Sequence, residues 1–298
     1  GKHFPSIDLT NENGPKNTKI IAWLWARTVQ CPNPGCHGEI PLLSSFILSS
    51  KKGKEAYLNP EIKDGELTFS IDKKFFSDRL KVNEGFKRGV SGIFECPHCQ
   101  NVTTRNYIAR EGVEGRIGRV LTALVCEGVK GRFFIPAVKS PKFDYKVDFD
   151  TSFLETDFSQ NPRDLWCRNF GLNKPRDLFT DRQLLGLHTY TNLIGEVRAQ
   201  IEKDALSFGL ADDSIPLRNG GLGAKAYSEA VSVYLAFGVT RLSDISNSLC
   251  VWSSSANQAV HLFGRQAIPM VWSYAETSLF SNMAGDFRTS LSSIVKVL

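Results

Sequence analysis

The sequence predicts an α+β fold: a mostly-β module over residues 1–140, a linker over 141–180 and a helical region over 181–298. Three observations lead to it. Two short cysteine pairs, Cys31–Cys36 and Cys96–Cys99, sit on tight turns in the first third of the chain. Around them, strand-length apolar runs alternate with turn residues. From residue 181 the apolar spacing changes to three, four and seven, the period of a helix.

Cys31-Pro-Asn-Pro-Gly-Cys36 and Cys96-Pro-His-Cys99 are knuckles that let two thiolates converge on one ion. Together Cys31, Cys36, Cys96 and Cys99 supply four sulfurs, which closes a tetrahedral zinc shell and leaves no open position for a substrate. The zinc is therefore expected to be structural, and the N-terminal part to be a zinc-ribbon module. The 59 residues between Cys36 and Cys96 exceed the usual ribbon gap and read as a long hairpin-like insert. Disulfides are the competing reading, with unligated thiols a third. An odd total of seven cysteines and the lack of a secretory signal argue against disulfides. His37 and His98 flank the knuckles and could replace a cysteine, but read first as bystanders, and Cys126, Cys167 and Cys250 read as small core residues.

Residues 20–29 form an apolar strand leading into the first knuckle, and residues 40–48 lead away from it. A turn over 49–54 carries Lys51, Lys52 and Lys54. Asp64-Gly65 is a hairpin signal before a strand over 66–71. After Cys99 comes a Gly- and Arg-rich stretch over 111–119, then a hairpin from Leu121 to Ile135 turning at 128–131. The linker has no clear period. Thr180 or Asp181 caps a helix along which Leu184, Leu187, Ile194, Val197 and Ile201 recur. A second helix over 224–249 is apolar nearly all round and is expected to be buried. A third helical stretch is expected over 256–280, kinked or split by Pro269.

Composition bounds the function. At 298 residues with 42% hydrophobic and 22% charged content, the chain suits one large or two ordinary globular domains. No apolar run reaches the ~20 residues that span a bilayer, so no membrane partner and a cytoplasmic location are expected. Gly1 in place of Met reads as a cut point or tag scar. Residues 1–140 hold 21 Lys and Arg against 14 Asp and Glu, and the remainder 15 against 17. A basic module beside a near-neutral one points to a nucleic-acid partner, although solvated lysines alone give the same balance.

Several chemistries have no signature here. No Asp-Pro-Pro-Tyr-type tetrapeptide, Walker motif or nucleophile constellation occurs. Gly220-Gly221-Leu222-Gly223 does not follow a strand and reads as a lead into the next helix. His188 and His261 lie on expected helices as satisfied core or surface residues. No catalytic and no cofactor-binding residue is assigned.

The run from Ile21 to Cys36, Ile40-Pro-Leu-Leu43 and the lysine turn resemble the zinc-ribbon adenine-specific DNA methylases. So do Arg110–Gly118, Asp177–Leu185, Ser248–Trp252 and Phe263–Trp272, in the same order along essentially the whole chain. Ser273 departs from the acid expected after Met-Val-Trp, and residues 277–287 match more loosely. The resemblance implies a segment lying between an upstream methyl-donor motif and a downstream Asp-Pro-Pro-Tyr motif. S-adenosylmethionine would then be bound only by the full-length enzyme, and this chain alone would be inactive. Its implied partners are duplex DNA and the flanking methyltransferase core, on which the helical region would pack.

In such enzymes the target adenine leaves the duplex before reacting, and this segment would grip the DNA. Lys51, Lys52, Lys54, Arg116 and Arg119 are the candidate phosphate contacts, with Gly112, Gly115 and Gly118 allowing close backbone approach. Arg265 is a further candidate for the DNA or the catalytic cleft. The lysine turn reads equally as a solvated hairpin tip, and Arg265 equally as a helix–helix hydrogen-bonding residue. Two alternatives stand beside the methylase segment. One is a stand-alone zinc-ribbon nucleic-acid or protein adaptor, and the other a complete enzyme with a degenerate donor site.

Overall fold

The computed structural model describes residues 3–10, 16–73, 79–89, 92–129, 131–141, 145–161, 163–264 and 266–298, the side chains of 79–81 excepted. The first elements in chain order are β1 (Ser6–Ile7), β2 (Thr18–Gln30), β3 (Glu39–Pro41), β4 (Ile47–Ser49), β5 (Ala56–Lys63) and β6 (Glu66–Asp72). Next come α1 (Arg79–Glu84), β7 (Lys87–Arg88), β8 (Ile93–Glu95), β9 (Val102–Thr103), α2 (Arg105–Val113), β10 (Gly118–Gly128) and β11 (Gly131–Pro136). The last are α3 (Asp181–Ser207), α4 (Ala224–Ile245), β12 (Trp252–Ser253), β13 (Gln258–Ala259), β14 (Ser273–Thr277) and α5 (Phe287–Val295). The chain is mixed α and β, as the sequence predicts.

β2 organises the molecule. Its run of isoleucine, tryptophan, leucine and valine suits a strand covered on both faces, and all but three of its residues are buried. β10 pairs along one edge, from Gly118 opposite Thr28 to Cys126 opposite Ile20. The other edge is divided in turn among β1 at Thr18–Lys19, β14 at Ala22–Ala26 and β3 at Thr28–Gln30, all antiparallel. β11 completes the sheet as the hairpin partner of β10, with Gly128 opposite Gly131. Where β10 bulges between Leu121 and Ala123, the Thr122 hydroxyl donates to the Leu24 carbonyl at 2.9 Å, so the irregularity leaves no orphaned buried hydroxyl there.

Two layers cover this sheet. Residues between the cysteine pairs form a second sheet, β4-β5-β6, whose Leu48, Ala56, Leu58 and Phe69 join Ala22, Leu24, Val125 and Phe134 in the largest core cluster. The insert thus folds back over the central sheet. Its β5–β6 hairpin turns at Asp64 (φ 51°) and Gly65 (φ 83°), both left-handed, as the Asp-Gly signal predicts. On the opposite side, Ile20, Trp23, Leu124, Cys126 and Ile135 pack against Ile7 and Leu9 from the N-terminal segment.

The helical region differs from expectation in two places. α3 begins as predicted, with Thr180 as N-cap and a reciprocal capping box to Gln183. α4 forms, but it is not buried. Only Ala224, Ala226, Ser228, Gly238 and Leu242 lie inside, whereas Tyr227, Val233, Tyr234 and Phe237 stay exposed. The reason is geometric: α4 packs on α3 and α5, which cover one side of it and leave the other apolar side open. The helix expected over 256–280 is absent. Its residues form β13, irregular chain and β14, because an apolar spacing that fits a helix also fits a strand that fills the open edge of β2. That strand places residues 273–277 in the same sheet as residues 18–30. Among the described residues, no helix is long and apolar enough to cross a membrane.

Candidate metal centre

β2 ends at Gln30, and the chain immediately turns through the first cysteine pair into β3. Cys31 N–H donates to the Gly38 carbonyl (3.0 Å) and Cys36 N–H to the Asn33 carbonyl (2.9 Å), while the Asn33 side chain accepts from Gly35 N–H (3.1 Å). The second pair joins β8 to β9. There Cys96 N–H donates to the Asn101 carbonyl (2.8 Å) and Gln100 N–H to the Cys96 carbonyl (2.9 Å), with Gln100 in the left-handed region at φ 63°.

These turns aim all four sulfurs at one point. Cys31 Sγ lies 3.5 Å from Cys99 Sγ and Cys36 Sγ 3.8 Å from Cys96 Sγ, and the four sulfurs lie within 4.8 Å of one another. Thiolates at ~2.3 Å around a tetrahedral ion sit about 3.8 Å apart, so the arrangement fits such an ion. Backbone amides also point at the sulfurs: Asn33 at Cys31, His98 and Cys99 at Cys96, and Asn101 at Cys99. Such bonds favour the thiolate, the form that binds metal. The Asn101 amide draws Cys99 down to about 7, whereas burial pushes Cys31 up to about 12 and raises Cys96. The cluster can hold a metal ion with no side chain besides the cysteines. The His98 ring instead lies against Gly38, where a β-carbon would come within 2.3 Å of it.

The remaining cysteines are core residues. Cys126, Cys167 and Cys250 are buried, and burial pushes Cys126 and Cys250 up to about 12. His188 stacks on Phe149 at 3.7 Å and His261 lies 3.3 Å from Asp244.

The basic residues are not brought together. Lys51, Lys52 and Lys54 are exposed on the β4–β5 turn, where the Lys54 ammonium lies against Gly131 of the β10–β11 turn. That turn adjoins the Thr18 end of β2, and Cys31 follows the other end. The two are separated by on the order of 40 Å of strand. Adjacency in sequence to the first knuckle therefore does not place the lysines beside the metal centre.

Arg116 and Arg119 lie at the cysteine end. Arg116 holds Glu111 with two bonds of 2.7 Å and also pairs with Glu114, so its charge is already matched. Arg119 projects over the Trp25 ring, 5.5 Å from its centre. Arg265 lies outside the described residues. Gly112 and Gly118 make close approaches within the protein: a β-carbon on Gly112 would stand 2.3 Å from the Phe170 carbonyl, and one on Gly118 2.6 Å from the Thr28 hydroxyl. Gly115 (φ 71°) is open and turns the chain from α2 into β10. Gly223 is the N-cap of α4, as a lead into a helix should be.

One polar network escaped sequence reasoning. Glu276 of β14 is buried and takes bonds from Arg182 Nε (3.0 Å) and Nη2 (2.6 Å), the Thr180 hydroxyl (2.5 Å) and Trp25 Nε1 (2.8 Å). Burial pushes this carboxyl up, but Arg182, Thr180 and Trp25 outweigh it and hold it below the ordinary value. The Arg182 guanidinium lies 3.5 Å from the centre of the Trp23 ring. Thr180 or Asp181 as a cap marks the start of α3 in the sequence, but nothing local points from Arg182 to a partner 94 residues on. No family model, curated protein or solved structure matches the chain, so the reading of these sites rests on their own residues.

Proposed function

We propose that this chain is a zinc-stabilised, DNA-binding segment of an adenine-N6 DNA methyltransferase, without methyl-transfer activity of its own. The observation that carries the reading is the convergence of four sulfurs from two knuckles 59 residues apart. It supports a zinc ribbon, and the resemblance gives that ribbon its setting. Zinc would cross-link the β2–β3 and β8–β9 turns and so fix the end of the sheet against α2. The charge excess of residues 1–140 and the exposed lysine turn support a polyanionic partner. The lack of donor and catalytic motifs in the sequence supports a segment that grips rather than reacts.

A second reading is favoured by a separate observation. Tyr234, Phe237, Phe263, Ile294 and Val297 line an apolar groove of about 850 Å³ between α4 and α5. Such a surface suits a protein partner, either the flanking core of the methylase or the client of an adaptor. The test is fluorescence anisotropy of the zinc-loaded chain on a labelled duplex across a salt series. Binding at micromolar concentration or tighter that weakens steeply with salt is expected. No binding at low salt would overturn the DNA-gripping role and leave the adaptor reading.

A further inference from the structure

A cavity of about 550 Å³ opens on the side of the central sheet away from the β4–β6 layer. Its size is within the roughly 300–1,000 Å³ typical of small-molecule sites. Trp23, Trp25, Leu121 and Tyr145 supply apolar and aromatic wall, and Arg119, Arg182 and Glu276 supply charge. The Trp25 indole is fixed at its edge by the 2.8 Å bond to Glu276, and Glu276 is fixed by Arg182. Arg182 in turn is held between Trp23 and Tyr145, whose ring centre is 5.1 Å away. The wall is therefore rigid before any ligand arrives.

Among the described residues, one charge of the wall has no counter-charge. Arg182 is matched by Glu276 and Asp181 by Arg176. Arg119 forms no ion pair among the described residues, and its register partner across the sheet is another arginine. That partner, Arg27, is buried, and its guanidinium donates to uncharged groups: the Val271 carbonyl (3.0 Å), the Ser248 carbonyl (3.3 Å) and the Ser248 hydroxyl (3.0 Å). Two like charges directly opposite on neighbouring strands are unfavourable, and of the two only Arg119 lines the cavity, where it also donates to the uncharged Tyr274 hydroxyl. An aromatic face beside a guanidinium with no counter-charge, here Arg119, is the chemistry that holds a planar base and its phosphate.

We propose that this cavity takes up one unstacked nucleotide of a nucleic-acid strand, its base on the Trp25 indole and its phosphate at Arg119. The proposal rests on the nucleic-acid reading above and sharpens it, because it moves recognition from the lysine turn to the sheet face. Two variants probe it without touching the buried pair. Arg119→Ala removes the phosphate contact, and Val138→Trp crowds the cavity mouth, where Val138 is 87% exposed.

The experiment titrates the zinc-loaded chain with a labelled single strand carrying one 2-aminopurine, with the matching duplex, and separately with dAMP. Anisotropy of the label reports binding, 2-aminopurine emission reports stacking, and tryptophan emission reports dAMP. The expected result is quenching on strand binding that both variants weaken at least about tenfold, with zinc content and thermal melting unchanged. Strand binding without quenching, or quenching that neither variant alters, would overturn the cavity assignment while leaving a DNA-gripping role intact. A dAMP response lost in both variants, with neither strand nor duplex bound, would overturn the strand as the source and the nucleic-acid reading with it. Silence from dAMP, strand and duplex alike would overturn both.

Discussion

The two ends of β2 solve opposite problems. At the Gln30 end, four cysteines from two separate turns converge on one point, and Arg116 beside them is matched by Glu111 and Glu114. At the Thr18 end, three lysines stand exposed on a turn near Gly131. The sequence joins these features within 25 residues, yet the strand holds them far apart. The difference teaches that a knuckle carries its geometry within a few residues, whereas a basic patch exists only once distant segments are placed. Between the ends, on one face, lies the aromatic cavity, with Arg119 at its wall.

The largest effect is expected from depriving the four cysteines of the metal they can hold. A structural zinc contributes on the order of 10–16 kcal/mol of apparent binding energy in small metal-dependent domains. Stripping it with a chelator, or replacing Cys96 with Ser, should raise hydrogen exchange over residues 30–41 and 93–103 first. The β10–β11 hairpin should stay protected. Equal loosening at both ends would show that the cysteine end does not behave as a separate unit.

Glu276→Gln comes next. It leaves Arg182 buried without its counter-charge, which costs roughly 3–5 kcal/mol, measurable by urea unfolding. The sign with pH is fixed by a folded value held below the ordinary 4.5. The carboxylate contributes its full stability above about 4.5, and that contribution is lost as pH falls through the folded value. The variant should therefore be less stable at neutral pH but show a shallower acid limb. An unchanged acid limb would remove the ion pair from the account.

Gly112→Ala should cost about 1–3 kcal/mol by overpacking. Its new methyl meets the Phe170 backbone, and the adjoining Gly171 already lies against the Gly112 carbonyl at φ 85°. A neutral result by thermal melting would restore Gly112 as a free backbone position. The smallest effect on stability is expected from joint replacement of Lys51, Lys52 and Lys54 by Ala. If the turn meets phosphates, the slope of log affinity against log salt should flatten by about 0.9 for each phosphate no longer neutralised, with melting unchanged. Arg116→Ala should do the reverse, shifting melting more than the salt slope.

Much of this molecule was determined by its sequence alone, because the signals act over a few residues. The knuckles, the Asp64-Gly65 and Gly128–Gly131 hairpins, the strand over 20–29 and the capped start of α3 each follow from local steric and hydrogen-bonding chemistry. The tertiary structure decided what depends on distant partners. It made residues 273–277 a strand because β2 had amides to satisfy, and it left α4 half exposed because α3 and α5 pack on one side of it. It paired Arg182 with Glu276 across 94 residues and set Arg119 opposite Arg27 above Trp25. It also carried the lysine turn away from the cysteines. Periodicity and charge record what a segment prefers, but which segment answers that preference is settled only when the chain closes on itself.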